Sequence, residues 1–151
     1  MSVKKLNVLL VDDDADDCQF FQAALIQLVI PANLTVVHDG EQLMRLLLLE
    51  DVVLPDVLFL DLNMPRKNGF ECLADIKSNP KLKHLSVIVF STSFEQEVVN
   101  RLYNSGAQYF IRKPSEFSQF KKIIQQSLAL VLDGNNVQPA RENFVLKVVM
   151  D

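Results

Sequence analysis

With 151 residues, 49% of them apolar and 23% charged, the chain has the length for one domain with a real core and the balance of a folded protein. A formal net charge of −4 argues against a large nucleic-acid footprint, and no apolar run approaches the roughly 18 residues that span a bilayer. Two lysines precede the first apolar stretch, but it meets three aspartates after about six residues, so it does not read as a secretory signal. Cys18 and Cys72 lie far apart with no metal-ligand spacing and read as reduced packing residues. His38 and His84 share no motif with them, so no zinc site is expected.

The predicted elements alternate along the chain. LNVLLV (6–11) is strand-like, and a helical stretch over 14–29 follows with Phe20, Phe21, Ala24, Leu25 and Leu28 on one stripe. LTVVH (34–38) precedes a helix over 40–50, VLFLDL (57–62) a helix over 68–79, and SVIVF (86–90) a helix over 94–105. In that last helix Val98, Val99 and Leu102 read as part core contact and part recognition surface. QYFI (108–111) leads to a helix over 115–132 that opens on a Ser–x–x–Ser pattern and carries Phe117, Phe120, Ile123, Ile124 and Leu128 on one face. Apolar residues follow one another within the runs without alternation, as in strands buried on both faces. The fold class is therefore α/β, a five-stranded parallel sheet with helices on both faces and right-handed crossovers. Residues 133–151 form a C-terminal extension that opens with turn formers and then reads as one more short strand. That strand either docks loosely, adds beside the fifth strand, or exchanges with a second copy in a homodimer.

The stretch VLFLDLNMPRKNGFE, residues 57–71, carries the functional question. A run of strand formers ends on Asp61, and a turn from Pro65 to Gly69 takes the chain away over that end. A carboxylate at the end of a buried strand is costly unless something pairs with it. Ligands in an open parallel sheet gather at the carboxyl ends of its strands. Those ends are Asp12, Asp13 and Asp14, then Asp61, then Ser91 and Thr92, then Lys113 ahead of Pro114. Asp12, Asp13 and Asp61 brought together need a counter-ion or shared protons. Magnesium suits such oxygen donors, since it keeps several waters and leaves room for a phosphate oxygen. Asp61 is then free to act as a nucleophile toward phosphorus, with Lys113 neutralising charge and Ser91 donating a hydrogen bond. Asp12 and Asp13 could instead do no more than cap a helix, a reading that loses ground once Asp61 and Lys113 stand in register with them.

In order and spacing, LLVDDD, FLDLNMPRKNGFE, VIVFSTS and GAQYFIRKPS resemble the signature blocks of receiver domains of two-component response regulators, most closely the stand-alone chemotaxis type. The match covers about residues 5–132, so that 1–132 is expected to be the receiver domain. The resemblance implies the flavodoxin-like strand order 2-1-3-4-5, Asp61 as phosphoacceptor, and a Mg²⁺ site made of Asp12, Asp13, Asp61 and the backbone carbonyl of Asn63. It also implies that Ser91 and Lys113 take the hydroxyl and lysine positions, that Ser91 and Phe110 form the switch pair, and that the Lys113–Pro114 bond is cis. Asp14 and Asp16 fall outside the pattern and suit a helix N-terminus. Two positions depart from the commonest family residues: Phe110 stands where tyrosine is frequent, with Tyr109 facing the other way, and Ser91 stands where threonine is frequent.

The function so implied is a cytoplasmic signalling switch, not a conventional enzyme. It would take its phosphoryl group from a histidine kinase or histidine phosphotransfer protein, catalysing its own Mg²⁺-dependent acceptance and slow dephosphorylation. The roughly 19 residues after the last helix are too few for a DNA-binding output module, so output is expected through contacts with a protein target, not with nucleic acid or a membrane. Two other functional classes fit the residues less well. An interaction module without the phosphate switch would bind its partners identically after Asp61→Ala. An aspartate-nucleophile phosphatase would need a second acid two residues after Asp61, where this chain has Asn63.

Overall fold

A computed structural model describes residues 5–64, 67–134 and 137–148. The chain forms β1 (Leu6–Val11), α1 (Ala15–Ile26), β2 (Ala32–Val37), α2 (Gly40–Leu47), β3 (Val57–Asp61), α3 (Gly69–Ser78), β4 (Val87–Ser91), α4 (Gln96–Asn104), β5 (Tyr109–Arg112) and α5 (Phe117–Leu132). A 3₁₀ turn over Arg141–Asn143 and a two-residue strand, β6 (Val145–Leu146), complete it. All strands run parallel in the order β2-β1-β3-β4-β5-β6. The expected α/β sheet is present with its first five strands in the expected order, and the tail adds a sixth strand beside β5, one of the readings its sequence allowed. Every residue of β3 and β4 is buried, as continuous apolar runs require, while β2 lies at the edge and alternates in exposure along Asn33 to Thr35.

Period-two alternation sorts the strand side chains onto two faces. Leu9 and Val11 of β1 join Leu43, Leu73, Ile76, Val99 and Leu102 in the layer under α2, α3 and α4. Leu6, Val8 and Leu10 join Phe21, Ala24, Phe120 and Ile124 in the layer under α1 and α5. Phe21 meets Phe59 edge-on at 5.0 Å and Phe120 at 6.0 Å, tying the two helices to the middle of the sheet. Val99 and Leu102 are wholly buried, so they belong to the core; Val98 alone of that trio is partly exposed. Cys18 and Cys72 are buried free thiols, as expected, and burial pushes each up to about 11. The last helix starts one residue later than its Ser–x–x–Ser pattern suggests: Glu116, not Ser115, is the N-cap residue and makes no side-chain cap bond.

The segment after α5 is not loosely docked. Gln138 Nε2 donates to the carbonyls of Tyr103 and Ala107, both at 2.7 Å, where α4 ends. Tyr103 donates its hydroxyl to Pro139 O at 2.8 Å, and Arg141 Nε donates to Asn100 Oδ1 at 2.7 Å. Phe144 is then fully buried, edge-on to Tyr103 at 5.1 Å, and its carbonyl accepts the Phe110 N–H at 3.1 Å. β6 continues that bonding along β5, pairing Phe110 with Val145 and Ile111 with Leu146. The remainder of the expected strand, Val149 and Met150, lies outside the described residues.

Phe144→Ala is expected to lower unfolding stability by about 3–5 kcal/mol, the cost of deleting a buried phenyl ring. Trimming the chain after Leu132 should destabilise it at least as much. Chemical denaturation checks both, and a truncated chain as stable as the whole would show that the tail contributes nothing.

Candidate functional site

Strand order reverses between β1 and β3, and the acidic residues sit on either side of that switch point. Asp12 extends the β1 ladder by one step, its N–H donating to Val37 O at 3.1 Å. Its side chain is fully buried: Oδ1 accepts the Asp14 N–H at 2.9 Å and Oδ2 accepts from Lys113 Nζ at 3.0 Å. Asp14 caps α1 by accepting the Asp17 N–H at 3.0 Å, as a helix N-terminal residue should. Asp16 lies in the same first turn and is exposed.

Asp61 closes β3 at 7% exposure. Its bonds are poor: the Asn63 N–H approaches Oδ1 at 3.4 Å, and Lys113 Nζ stands 3.9 Å away, beyond hydrogen-bond reach. Behind it α3 begins very close to the strand end. A Cβ at Gly69 would lie 2.9 Å from both Asp61 O and Leu62 Cα, so only glycine fits there. Asn68 and Glu71 form a capping box that starts the helix at that point. Pro65 and Arg66 of the expected turn lie outside the described residues.

Ser91 ends β4 nearly fully buried, its Oγ accepting the Ser93 N–H at 3.3 Å with Ser93 Oγ at 3.2 Å. Lys113 follows β5, and its N–H donates to Ser91 O at 2.9 Å, which fixes lysine and serine side by side. The lysine stem packs over Phe90, with Nζ 4.7 Å from the ring centroid. Phe110 is buried among Val89, Val99 and Leu102, edge-on to Phe94 at 6.0 Å, while Tyr109 packs on the opposite face, as expected. The described residues contain no cis peptide bond, so the expected cis Lys113–Pro114 bond is corrected to trans. The trans form already lets Lys113 reach Ser91 O and Asp12, and it is preferred by about 0.5–1 kcal/mol where nothing forces the alternative.

Asp12, Asp13 and Asp61 each bring a carboxylate oxygen to within 4.8 Å of the others. Three oxygen donors of this kind fit a hard divalent cation. Burial pushes Asp61 up to about 7; Lys113 opposes the shift and the Asp12 charge adds to it. Burial alone would lower Lys113, but the carboxylates of Asp61, Asp17 and Asp12 outweigh it and raise the ammonium. Asp17 is the residue that sequence reasoning passed over: its Oδ2 lies 3.0 Å from Lys113 Nζ. The signal was present in DDDADD, which sets Asp17 one helical turn beyond Asp13.

A doubly wound parallel sheet that gathers three aspartates, a hydroxyl and a lysine at its carboxyl edge defines a receiver domain. The response regulator receiver domain, as a family, matches residues 8–125, and the chain belongs to it. The response regulator Rcp1 of Synechocystis sp. is 33% identical over 122 residues, covering 78% of this chain and 83% of that protein. A probable chemotaxis protein CheY of Rhizobium etli is 29% identical over 122 residues, covering 81% and 92%. Among solved structures, the Mn²⁺-bound form of Rcp1 superposes with a TM-score of 0.76 at 31% identity over 89% of this chain and 99% of that one. The phosphorylated cyanobacterial phytochrome response regulator RcpA superposes at 0.79 and 31%, over 91% and 100%. Receiver domains act in two-component signalling rather than as conventional enzymes, and they hold a divalent cation in an acidic pocket. No described helix is long and apolar enough to cross a membrane.

The raised Asp61 value has a consequence for stability. Between pH 4 and 7 the folded metal-free chain holds a proton that the unfolded chain, titrating near 3.9, has released. Stability therefore falls as pH rises through that window. Asp61→Asn should be more resistant to denaturant than wild type at pH 7.5 without metal, and the gap should shrink toward pH 4. Urea titrations at several pH values check this; a pH-independent gap would contradict it.

Proposed function

We propose that the chain is a phosphorylation-dependent response regulator of the cytoplasm. Asp61 accepts a phosphoryl group from a histidine kinase or histidine phosphotransfer protein, and the signal passes on through protein–protein contacts. The observation that carries the reading is the unequal bonding of two neighbouring acids. Asp12 has close partners on both oxygens, whereas Asp61 meets the Asn63 N–H only at 3.4 Å and the Lys113 ammonium only at 3.9 Å, and otherwise shares a contact with Asp12 itself. A carboxylate left in that condition is the one available as a nucleophile.

In the transfer, an Asp61 oxygen forms a bond to phosphorus as the bond from phosphorus to the donor nitrogen breaks, and the departing imidazole keeps the electron pair. Lys113 neutralises charge on the phosphoryl oxygens, and the Ser91 hydroxyl turns from Ser93 to donate to one of them. Asp12, Asp13 and Asp61, with the Asn63 carbonyl, would hold Mg²⁺, which supplies Lewis-acid stabilisation of the developing charge. Movement of Ser91 toward the phosphoryl group draws on the end of β4. It alters the space around Phe110, whose strand is bonded to β4 through Lys113 N–H and Ser91 O. Phosphorylation thereby biases a two-state equilibrium rather than building a new surface.

Incubation with acetyl phosphate and Mg²⁺ should give a hydroxylamine-labile adduct by mass spectrometry, missing from Asp61→Asn and from protein held in chelator. A folded wild-type protein that never labels with Mg²⁺ present removes the proposal.

A further inference from the structure

We propose that Asp17 is a positioning residue for the phosphoryl transfer described above, an inference that rests on that reading. Its carboxylate holds the Lys113 ammonium on the α1 side of the corner and so sets the cost of turning that ammonium toward a phosphoryl group on Asp61.

An ammonium offers three N–H donors in tetrahedral directions. Lys113 directs two of them at Asp12 and Asp17, each at 3.0 Å, and stays 3.9 Å from Asp61. The two partners differ in how readily they can be given up. The Asp12 side chain is 0% exposed, and losing its cation would leave a buried charge unpaired. Asp17 is 45% exposed and can be returned to water at little cost. The bond that yields is therefore the one to Asp17. Asp16, Asp17 and Lys113 line a cavity of about 330 Å³ with Phe20, Phe90 and Thr92, on the side of the ammonium away from Asp61. Asp17 itself is well anchored, because its N–H is bound by the Asp14 cap. The resting state is thus favoured by a contact that the phosphorylated state weakens, and removing it shifts the balance toward phosphorylation.

Beryllofluoride, as a phosphoryl stand-in, can be titrated into the whole chain with saturating Mg²⁺ by calorimetry. Asp17→Asn and Asp17→Ser are both expected to bind about two- to fivefold more tightly than wild type, the range open to a half-exposed ion pair. Asp17→Glu, which restores a carboxylate within reach, should return to the wild-type value. Asp16→Asn removes the same charge from the same helical turn without touching Lys113 and should shift the affinity by less than half as much. Equal or weaker binding by the Asp17 variants, an equal gain in Asp16→Asn, or no rescue by Asp17→Glu each overturns the positioning role alone. A wild-type chain that binds no beryllofluoride overturns the phosphoacceptor reading and this inference with it.

Discussion

One ammonium group keeps the carboxyl edge of this sheet together. Four carboxylates from two strand ends and one helix converge there, and Lys113 Nζ stands within 3.9 Å of three of them. The lysine can serve this purpose because β5 runs beside β4 and its N–H is bonded to Ser91 O, so the stem enters the corner from a fixed direction. At 9% exposure its attraction for the acids is screened far less than a surface pair would be. Even so, one positive charge does not balance four negative ones. Without a cation the corner answers by holding a proton: burial pushes Asp61 up to about 7. A divalent cation held by Asp12, Asp13 and Asp61 would supply positive charge beyond that of the lysine.

Division of labour between Asp12 and Asp61 follows from backbone geometry. Asp12 stands where β1 gives way to α1, so the Asp14 N–H curls back on it, and depth in the sheet brings Lys113 to its other oxygen. Asp61 stands one strand over, and α3 can begin close behind it only because residue 69 is glycine. The first acid is therefore held by short bonds and the second by long ones.

Much of this could be read from the chain. Continuous apolar runs that stop on a polar residue fix both the strands and the functional edge, because a parallel sheet puts all such stops on one side. That logic reached Asp12, Asp13, Asp61, Ser91 and Lys113, and the structure brings these five into one corner. It could not reach Asp17, whose contact depends on the pitch and entry angle of α1 rather than on a strand end. Nor could it separate core from surface on α4: Val98 and Val99 are adjacent, and only the helix's rotation on the sheet buries one and leaves the other partly exposed. The sixth strand was legible as alternation, but its docking depended on Gln138 and Tyr103 meeting across 35 residues, which no local pattern encodes.

That docking bears on how a change at the acidic corner can travel. Phe110 has its ring in the α4 layer, against Phe94, and its N–H committed to Phe144 O. Phe144 in turn packs on Tyr103 of α4, whose carbonyl and hydroxyl are both tied to the tail. Strand β5, helix α4 and the tail are thus cross-linked by buried contacts and directional bonds, which favour discrete arrangements over continuous deformation. A ring that shifted at position 110 could not do so against an inert edge. Either Phe144 and the α4 C-terminus move with it, or their bonds resist the shift and hold the chain in its resting form.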